Sequence, residues 1–216
     1  MIEIHLSFNK IGDEGIKYLT ESLKINKTLN WINLGFNKIG DKGMLYLSDG
    51  LQKNTTIINI TLYGNKETYS ETEEEIKAIL ERNLILTQDL LKEIKNGNLK
   101  KVKELCEKGT SLNYQDENNS KNSAFHLALL KNQKEIIKYF LISPKLLNRI
   151  SFHQQNDKRK SIIDLANENG IKFEKTSIEI DYYIFKYQIK NLIFKFHQEK
   201  KLIKLILILY IIEFYN

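Results

Sequence analysis

Apolar and polar positions alternate briefly at the start of the chain, and a helical pattern then follows. Ile4 and Leu6 form an apolar pair at a spacing of two, which predicts a short strand. Ile16, Leu19 and Leu23 come next at helical spacing, so we expect a helix with one apolar face. The first unit of the chain is therefore predicted to be a strand, a turn and a helix.

This unit recurs every 28 residues. When residues 4–31 are aligned with residues 32–59, 14 of the 28 positions are identical. A third copy follows, and Asn9, Asn37 and Asn65 then occupy equivalent positions in the three turns. Self-similarity at a fixed period is typical of a solenoid, in which neighbouring copies bury their apolar faces against each other.

The repeat resembles the leucine-rich repeat in its ribonuclease-inhibitor-like subtype, through the pattern LxLxxNxIGDEGxxxLxxxLxxNxxL. The resemblance covers residues 1–83, about two and a half copies. It implies a short α/β solenoid in which Asn9, Asn37 and Asn65 bridge main-chain groups of adjacent copies, because a turning backbone would otherwise bury unpaired N–H and C=O groups. The third copy departs from the pattern after Lys66.

In such a solenoid, the strand positions that alternate with the buried pair form a concave surface that contacts partners. Aromatic residues recur there and offer large, rigid contact area. Phe8 and Phe36 are identical in two copies, so they either pack between copies or face a partner. Trp31 and Tyr63 are not repeated and are the better contact candidates. The predicted protein-binding residues are His5, Trp31, Asn33, Phe36, Thr61 and Tyr63.

From residue 86 the pattern changes to pairs of amphipathic helices. The segment Ser123-Ala124-Phe125-His126-Leu127-Ala128 resembles the Thr-Pro-Leu-His-x-Ala signature of the ankyrin repeat. The resemblance implies an all-α block over residues 86–172 of about two and a half copies, the last degenerate because Asp164 replaces the histidine. It also implies that His126 has a structural role, bonding main-chain groups in a turn. Contacts with a partner are expected at the hairpin tip, at Tyr114, Asp116 and Glu117.

The tail, residues 175–216, breaks both patterns. Its longest uninterrupted apolar run is Leu205 to Ile212, whereas a membrane span needs about 20 apolar residues, so we expect no transmembrane span. The segment could be amphipathic and lie on a membrane surface or cover the end of the second array. Alternatively, it is not a selected sequence, because the excess of 31 Ile over one Val and 30 Lys over three Arg is typical of AT-rich coding text.

Composition narrows the chemistry. The net charge of the chain is +6, which would suit a nucleic-acid partner. Nucleic-acid binders, however, concentrate arginine on one face. This chain has three arginines, and its basic regions are interspersed with acidic residues, so we expect no nucleic-acid partner. One cysteine excludes a disulfide scaffold and fits a cytoplasmic location. The four histidines and Cys106 share no ligand or triad spacing, so no catalytic site, metal or cofactor is predicted.

The sequence predicts a non-catalytic protein-interaction module, an adaptor or scaffold, with protein partners whose identity the sequence leaves open. Short arrays need neighbours to cover their ends, so we expect a fragment of a larger repeat protein. Two alternatives stay open: a membrane-associated adaptor acting through the tail, and a regulator of a small GTPase, since this leucine-rich subtype also occurs in Ran GTPase-activating proteins. No arginine falls on the predicted concave face to supply transition-state charge.

Overall fold

Strands alternate with helices in the first part of the chain, and helices dominate afterwards. The computed structural model describes residues 2–66 and 70–171. The strands are β1 (Glu3–His5), β2 (Trp31–Asn33) and β3 (Asn59–Thr61). The helices beside them are α1 (Asp13–Ile25), α2 (Asp41–Gln52) and α3 (Ser70–Lys95). The later helices are α4 (Leu99–Glu107), α5 (Ala124–Leu130), α6 (Lys134–Ile142), α7 (Pro144–Leu147) and α8 (Ile162–Glu168).

The three strands form one parallel sheet in the order β1-β2-β3. Ile4 pairs with Ile32 and Ile32 with Ile60, so each partner lies one 28-residue period further along the chain. Parallel strands need a crossover connection, and the helices of the N-terminal repeats (residues 2–66) supply it. The sheet register therefore agrees with the repeat spacing of the sequence.

The core of the N-terminal repeats lies between the sheet and the helices. Ile32 in β2 and Leu34 just after it are fully buried, because every second side chain of an extended segment points toward the helix layer. Burying one aliphatic side chain of this size contributes about 1.5–3 kcal/mol. The cluster consists of Ile16, Leu23, Ile32, Leu34, Ile39, Met44, Leu47, Leu51, Ile57, Ile76 and Ile79.

Helix α3 links this core to the C-terminal repeats (residues 99–171). Its first half contributes Ile76 and Ile79 to the cluster just described, and its last turns bury Leu90 and Ile94. Asn83 lies between these two groups along the helix and is also fully buried. Its Nδ2 donates to the main-chain carbonyls of Asn54 and Ile57, at 3.0 and 2.7 Å. The helix is continuous over 26 residues, and the predicted boundary between residues 83 and 86 lies inside it.

The two sets of repeats also meet directly through buried polar contacts. Asn30 Nδ2 donates to Ser111 Oγ at 2.7 Å, and both residues are buried. Thr55 Oγ1 donates to the Lys108 carbonyl at 3.1 Å. Gly109 follows, with a φ of +86°, and a Cβ atom there would lie 2.8 Å from Thr55 Oγ1. The left-handed backbone therefore favours glycine at this position, and the close approach leaves little room for a larger residue.

The C-terminal repeats pack their helices in pairs around an aromatic core. Helix α3 contacts α4, α5 contacts α6, and α5 also contacts α8. Phe125 and Phe140 are buried with ring centroids 5.3 Å apart in an edge-to-face arrangement. Pro144 is the first residue of α7, where its missing N–H has no cost.

The connection over residues 148–158 is packed against this core. Phe152 is buried, and its ring lies 5.9 Å from that of Phe125. Asn156 is buried too, and its Nδ2 donates to Asn122 Oδ1 at 2.9 Å. Its Oδ1 accepts the main-chain N–H groups of two residues that follow it. The long connection between the repeats therefore contributes side chains to the core.

The predictions for residues 175–216 lie outside the described residues. In the part of the chain that the structure describes, no helix combines the length and the apolar character needed to cross a membrane.

Candidate functional site

The solvent side of the sheet, together with the turns that follow each strand, forms the strand face of the N-terminal repeats. His5, Trp31 and Asn33 project from β1 and β2 on this face, because they alternate with Ile4 and with the fully buried Ile32. Thr61 projects from β3 in register with Asn33. The predicted strand residues of the binding surface therefore lie on adjacent strands.

Three aromatic side chains lie side by side where the strands end, and we call Phe8, Phe36 and Tyr63 the aromatic ladder. The rings of Phe8 and Phe36 stack with centroids 4.5 Å apart and an interplanar angle of 16°. Tyr63 meets Phe36 edge-on at 4.9 Å. Phe8 remains 70% exposed, Phe36 44% and Tyr63 59%. The two phenylalanines thus contact each other between copies and face solvent as well.

The backbone of the ladder is unusual. Phe8 has a φ of 60° and Phe36 a φ of 52°, which is left-handed backbone that large side chains rarely adopt. The third copy has Gly64 at this position, with a φ of 71°. A Cβ atom on Gly64 would overlap the ring of Phe36. The aromatic residue of the third copy is therefore Tyr63, one position earlier, and Gly64 leaves room for the ring of the preceding copy.

Trp31 is more enclosed than the ladder. Its indole N–H donates to Thr61 Oγ1 at 3.1 Å, and its ring is edge-on to His5 at 5.3 Å. His5 Nε2 lies 3.6 Å from a Glu3 carboxylate oxygen. Asn33 Oδ1 accepts the N–H of Gly35 at 3.0 Å. One polar atom of each of these predicted contact residues, Trp31 Nε1, His5 Nε2 and Asn33 Oδ1, therefore already has a partner within the protein.

A buried asparagine joins the first two copies. Asn37 Oδ1 accepts the N–H groups of Asn9 and Ile11, at 3.0 and 2.9 Å. Its Nδ2 donates to the carbonyls of Leu6 and Leu34, at 2.8 and 2.9 Å. One side chain thus satisfies four main-chain groups of the turn, which would otherwise be costly to bury.

The equivalent asparagines differ in their surroundings. Asn65 repeats this arrangement one copy later, accepting from Ile39 and donating to Leu34 and Leu62. Asn9 is exposed, and its Nδ2 donates to the carbonyl of Ser7 in its own turn. Within the described residues, Asn37 and Asn65 therefore bridge two copies through their side chains, whereas the side chain of Asn9 bonds its own copy.

His126 is fully buried at the start of α5. Its Nδ1 accepts from Ser123, from the main-chain N–H at 3.3 Å and the hydroxyl at 2.7 Å. Because Nδ1 accepts, the proton belongs on Nε2, which donates to the Lys160 carbonyl at 3.2 Å. Burial lowers the pKa of His126, and the Lys160 bond opposes this shift. The neutral imidazole therefore caps the helix and ties it to the next copy.

Comparison with known protein families agrees with the strand-and-helix copies of the N-terminal repeats and with the paired helices of the C-terminal repeats. Residues 1–19 and 26–48 match the leucine-rich repeat family. Residues 90–141 match the family described as ankyrin repeats (many copies). The chain carries leucine-rich repeats followed by ankyrin repeats. This confirms the two families and the order that the sequence motifs predicted. None of the curated proteins compared with the chain matches it significantly.

The hairpin tip of the ankyrin repeats contains several local hydrogen bonds. Asp116 pairs with Asn122 across the hairpin, and its carboxylate accepts the N–H of Asn118 at 3.0 Å. Tyr114 is half-buried, which raises the pKa of its phenol, and nearby Asp116 and Glu117 raise it further. Glu117 is exposed. Of the three predicted tip residues, Glu117 is thus the most exposed, whereas Tyr114 and Asp116 are half-buried.

A groove beside this tip was not predicted from the sequence. It has a volume of about 300 Å³ and lies between the end of α3 and Asp116. The sequence gives no signal for it, because helix and hairpin are brought together only by folding. The lining residues are Gln88, Leu91, Lys92, Lys95, Asn96 and Asp116.

The chemistry of the ankyrin repeats does not favour catalysis at Cys106. Burial raises the pKa of the Cys106 thiol to about 12, although Arg149 opposes the shift. Thiolates are the reactive form, so this cysteine behaves as a small apolar residue. Across residues 2–66 and 70–171, no cluster of His, Cys, Asp or Glu has the arrangement needed to hold a metal ion.

Proposed function

We propose that this chain is a non-catalytic protein-binding module and that the aromatic ladder is its main contact surface, with His5 and Trp31 beside it. The observation that carries the proposal is the ladder itself, whose rings are between 44% and 70% exposed. Leucine-rich and ankyrin repeats are in general protein-interaction modules, which supports the proposal at the level of the class.

The energetics of the ladder also support binding. Left-handed backbone at a large residue costs about 1–3 kcal/mol when nothing compensates it. Glycine would avoid this cost, as Gly64 does in the third copy. Phe8 and Phe36 recover part of it by stacking, but much of each ring still faces water. Rigid aromatic side chains that stay exposed are typical anchors for a partner protein.

A second contact at the ankyrin hairpin tip would make the chain an adaptor. Glu117 is presented to solvent at the tip, beside Tyr114 and the groove that Asp116 helps to line. Asn30 and Ser111 join the two repeat types through a buried hydrogen bond. Two contact surfaces on one firmly connected unit could hold two proteins at a fixed separation, which is the physical basis of a scaffold.

Regulation of a small GTPase has less support. Such a role needs a cation at the transition state, commonly an arginine. Arg82 donates to the Asn54 carbonyl at 3.0 Å, and Arg149 donates to the carbonyl of Cys106 at 3.1 Å. Both guanidinium groups therefore have structural roles, and Arg159 lies in the turn before α8.

Two further parts of the proposal concern the setting of the protein. A reducing compartment, the cytoplasm, fits a chain with one cysteine whose thiol is buried. The tail on which a membrane-associated role would depend, residues 175–216, lies outside the described residues.

An affinity experiment tests the ladder. The immobilised full chain is compared with a ladder variant, Phe36→Asn with Tyr63→Ser, by quantitative mass spectrometry of the captured proteins. Asparagine tolerates left-handed backbone, so the first substitution removes the ring and keeps the turn. We expect the ladder variant to lose at least about 90% of the specific capture, since anchor residues commonly contribute 2 kcal/mol or more.

The matched control carries Tyr18→Ser with Leu45→Ser. These two residues are as exposed as the ladder, at 74% and 58%, but lie on α1 and α2. Equal capture by wild type, ladder variant and control would overturn the proposed contact surface.

A further inference from the structure

A row of lysines runs beside the aromatic ladder. Lys10, Lys38 and Lys66 occupy the same position in the three copies, and all are exposed. Main-chain bonds join the copies at this position, because Lys38 donates to the Ile11 carbonyl at 2.8 Å and Lys66 to that of Ile39 at 3.1 Å. Backbones paired in this way lie about 5 Å apart. The three lysines, here called the lysine row, therefore start from adjacent chain segments.

The lysine row has no acidic partner within residues 2–66 and 70–171. The ion pairs of this part of the chain involve other cations. Two acidic side chains of the N-terminal repeats have other contacts: Asp13 accepts the N–H of Gly40 at 2.7 Å, and Glu3 lies beside His5. Like charges on adjacent segments repel, so a row of this kind is stabilised by a bound anionic group.

The row and the ladder are close enough to act on one ligand. Lys10 follows Phe8 by two residues and Lys38 follows Phe36 by two, which limits each Cα–Cα distance to about 7 Å. Both stripes cross the strands in the same direction, because each takes one residue from every copy. An apolar stripe and a cationic stripe thus run in parallel along the same edge of the sheet.

From this arrangement, and resting on the proposed function, we infer that the partner presents an extended acidic peptide segment to the ladder. In an extended peptide, successive side chains point to opposite sides and every second residue lies about 6.6 Å further along. A segment that alternates acidic and apolar residues directs its carboxylates to the lysine row. Its apolar side chains then pack on Phe8, Phe36 and Tyr63. Three such pairs span about 13 Å, whereas the three lysine backbones span about 10 Å, and the long, flexible lysine side chains cover this difference.

The arrangement of the three aromatic rings favours a peptide over a nucleic acid as the ligand. Bases need open aromatic faces on which to stack. Phe8 and Phe36 cover one face of each other's ring, and Tyr63 meets Phe36 edge-on. What remains open are ring edges and the outer face of Phe8, which suit aliphatic side chains.

The test is selection from a displayed library of random peptides of about 12 residues, a length that exceeds the proposed 13 Å contact in extended form. The bait is the full chain, and the same selection is made on Lys10→Gln/Lys38→Gln/Lys66→Gln. We expect the wild type to enrich alternating acidic and apolar peptides and the triple variant not to. Fluorescence anisotropy of an enriched peptide should show at least tenfold weaker binding to the triple variant, about 1.4 kcal/mol.

A matched control separates the effect of the lysine row on binding from the effect of the overall net charge. Lys42, Lys77 and Lys100 are also exposed and lie on α2, α3 and α4, so Lys42→Gln/Lys77→Gln/Lys100→Gln removes the same charge elsewhere. Raising the salt from about 50 to about 300 mM should weaken the enriched peptide on the wild type, because exposed ion pairs are screened.

Three outcomes would overturn the inference: no enrichment, enrichment of peptides without acidic residues, or equal weakening by both triple variants. Tighter binding of a 12-nucleotide oligo(dT) than of any peptide would also overturn it, in favour of a nucleic acid. Enriched neutral peptides that bind the wild type but not Phe36→Asn/Tyr63→Ser would leave the ladder proposal intact and remove the acidic partner alone. Peptides insensitive to the ladder variant would count against the proposed function itself.

Discussion

The backbone conformation at Phe8 and Phe36 is determined by the turn and not by the residue type. The same position is left-handed in all three copies, whether it holds phenylalanine or Gly64. The turn therefore forms with either residue, and glycine would form it at lower cost. What phenylalanine adds is its ring, and in both copies that ring remains largely or partly exposed.

Replacing Phe8 by asparagine should barely change stability. The substitution loses a stacking contact of about 0.5–1.5 kcal/mol. It relieves a backbone cost of similar size, because asparagine adopts left-handed conformations readily. We expect the free energy of unfolding, measured by urea denaturation, to change by less than about 1 kcal/mol on this balance of terms.

The comparison for that measurement is Phe125→Asn. Phe125 is buried, and removing a buried phenylalanine side chain costs about 3–5 kcal/mol. A loss of that size at Phe8 would show that its ring is part of the core and would contradict its assignment as a strained contact residue.

At the scale of elements, the start of α5 depends on a neutral histidine. Ser123 and His126 form a capping box, and His126 also reaches the Lys160 carbonyl. The corresponding helix α8 uses Asp164 with Ser161 in the same arrangement. Bonds from Ser161 lower the pKa of Asp164, so this second box keeps its charge in moderately acidic solution.

The pH dependence of stability should therefore include a contribution from His126. Its pKa is lowered in the folded state, so the unfolded chain binds the proton more tightly. The contribution is fully present above the unfolded pKa of about 6.5 and is lost as the pH falls through the folded value. We expect the free energy of unfolding to fall between pH 7.5 and pH 5.5 in the wild type, and to fall less in His126→Gln.

His153→Gln is the control, because His153 is exposed and makes no such cap. Its pH profile should follow that of the wild type. Parallel profiles for wild type and His126→Gln would contradict the role of the neutral imidazole.

For the molecule as a whole, helix α3 and the contacts around Ser111 make the two repeat types one folding unit. Ile76 belongs to the leucine-rich core and Ile94 to the ankyrin core, and both lie on one unbroken helix. The Asn30–Ser111 hydrogen bond adds a buried contact beyond the helix. Short arrays of repeats are marginal alone, since each copy relies on its neighbours for burial. The shared helix lets each array act as that neighbour for the other.

A core substitution in one array should therefore destabilise the other. Phe140 is fully buried among the ankyrin repeats, and Phe140→Ala should cost about 3–5 kcal/mol. Trp31 is the only tryptophan of the chain and reports on the leucine-rich repeats. We expect the urea midpoint of Trp31 fluorescence to fall together with the midpoint of the helical circular dichroism signal.

Ile142→Ala serves as the control for this prediction, because Ile142 is 67% exposed on the same helix. It should leave both midpoints nearly unchanged. If Phe140→Ala lowers the circular dichroism midpoint and leaves that of Trp31 in place, the two arrays unfold independently and the single unit is disproved.

Much of the fold could be predicted from the sequence, because in a repeat protein each copy contacts mainly its neighbours along the chain. A period of 28 residues determines which strands pair and in what register, and it places Asn37 and Asn65 where they can bond the preceding copy. The resemblance to the ankyrin signature implied that His126 bonds main-chain groups, and in the structure it bonds those of Ser123 and Lys160. The aromatic ladder was harder to predict from the repeat pattern, because in the third copy Tyr63 supplies the aromatic ring from the position before that of Phe8 and Phe36.

The sequence by itself determined the kinds of repeat, their order and the candidate surface, since these depend on spacing along the chain. The tertiary structure decided that α3 runs unbroken through both arrays, that residues 148–158 pack against Phe125, and that Trp31 has a bond to Thr61. It also stacked the three copies, so that the ladder and the lysine row each form a stripe across them. Such features depend on contacts between residues far apart in the chain, and on turns where side-chain direction follows from packing and not from period.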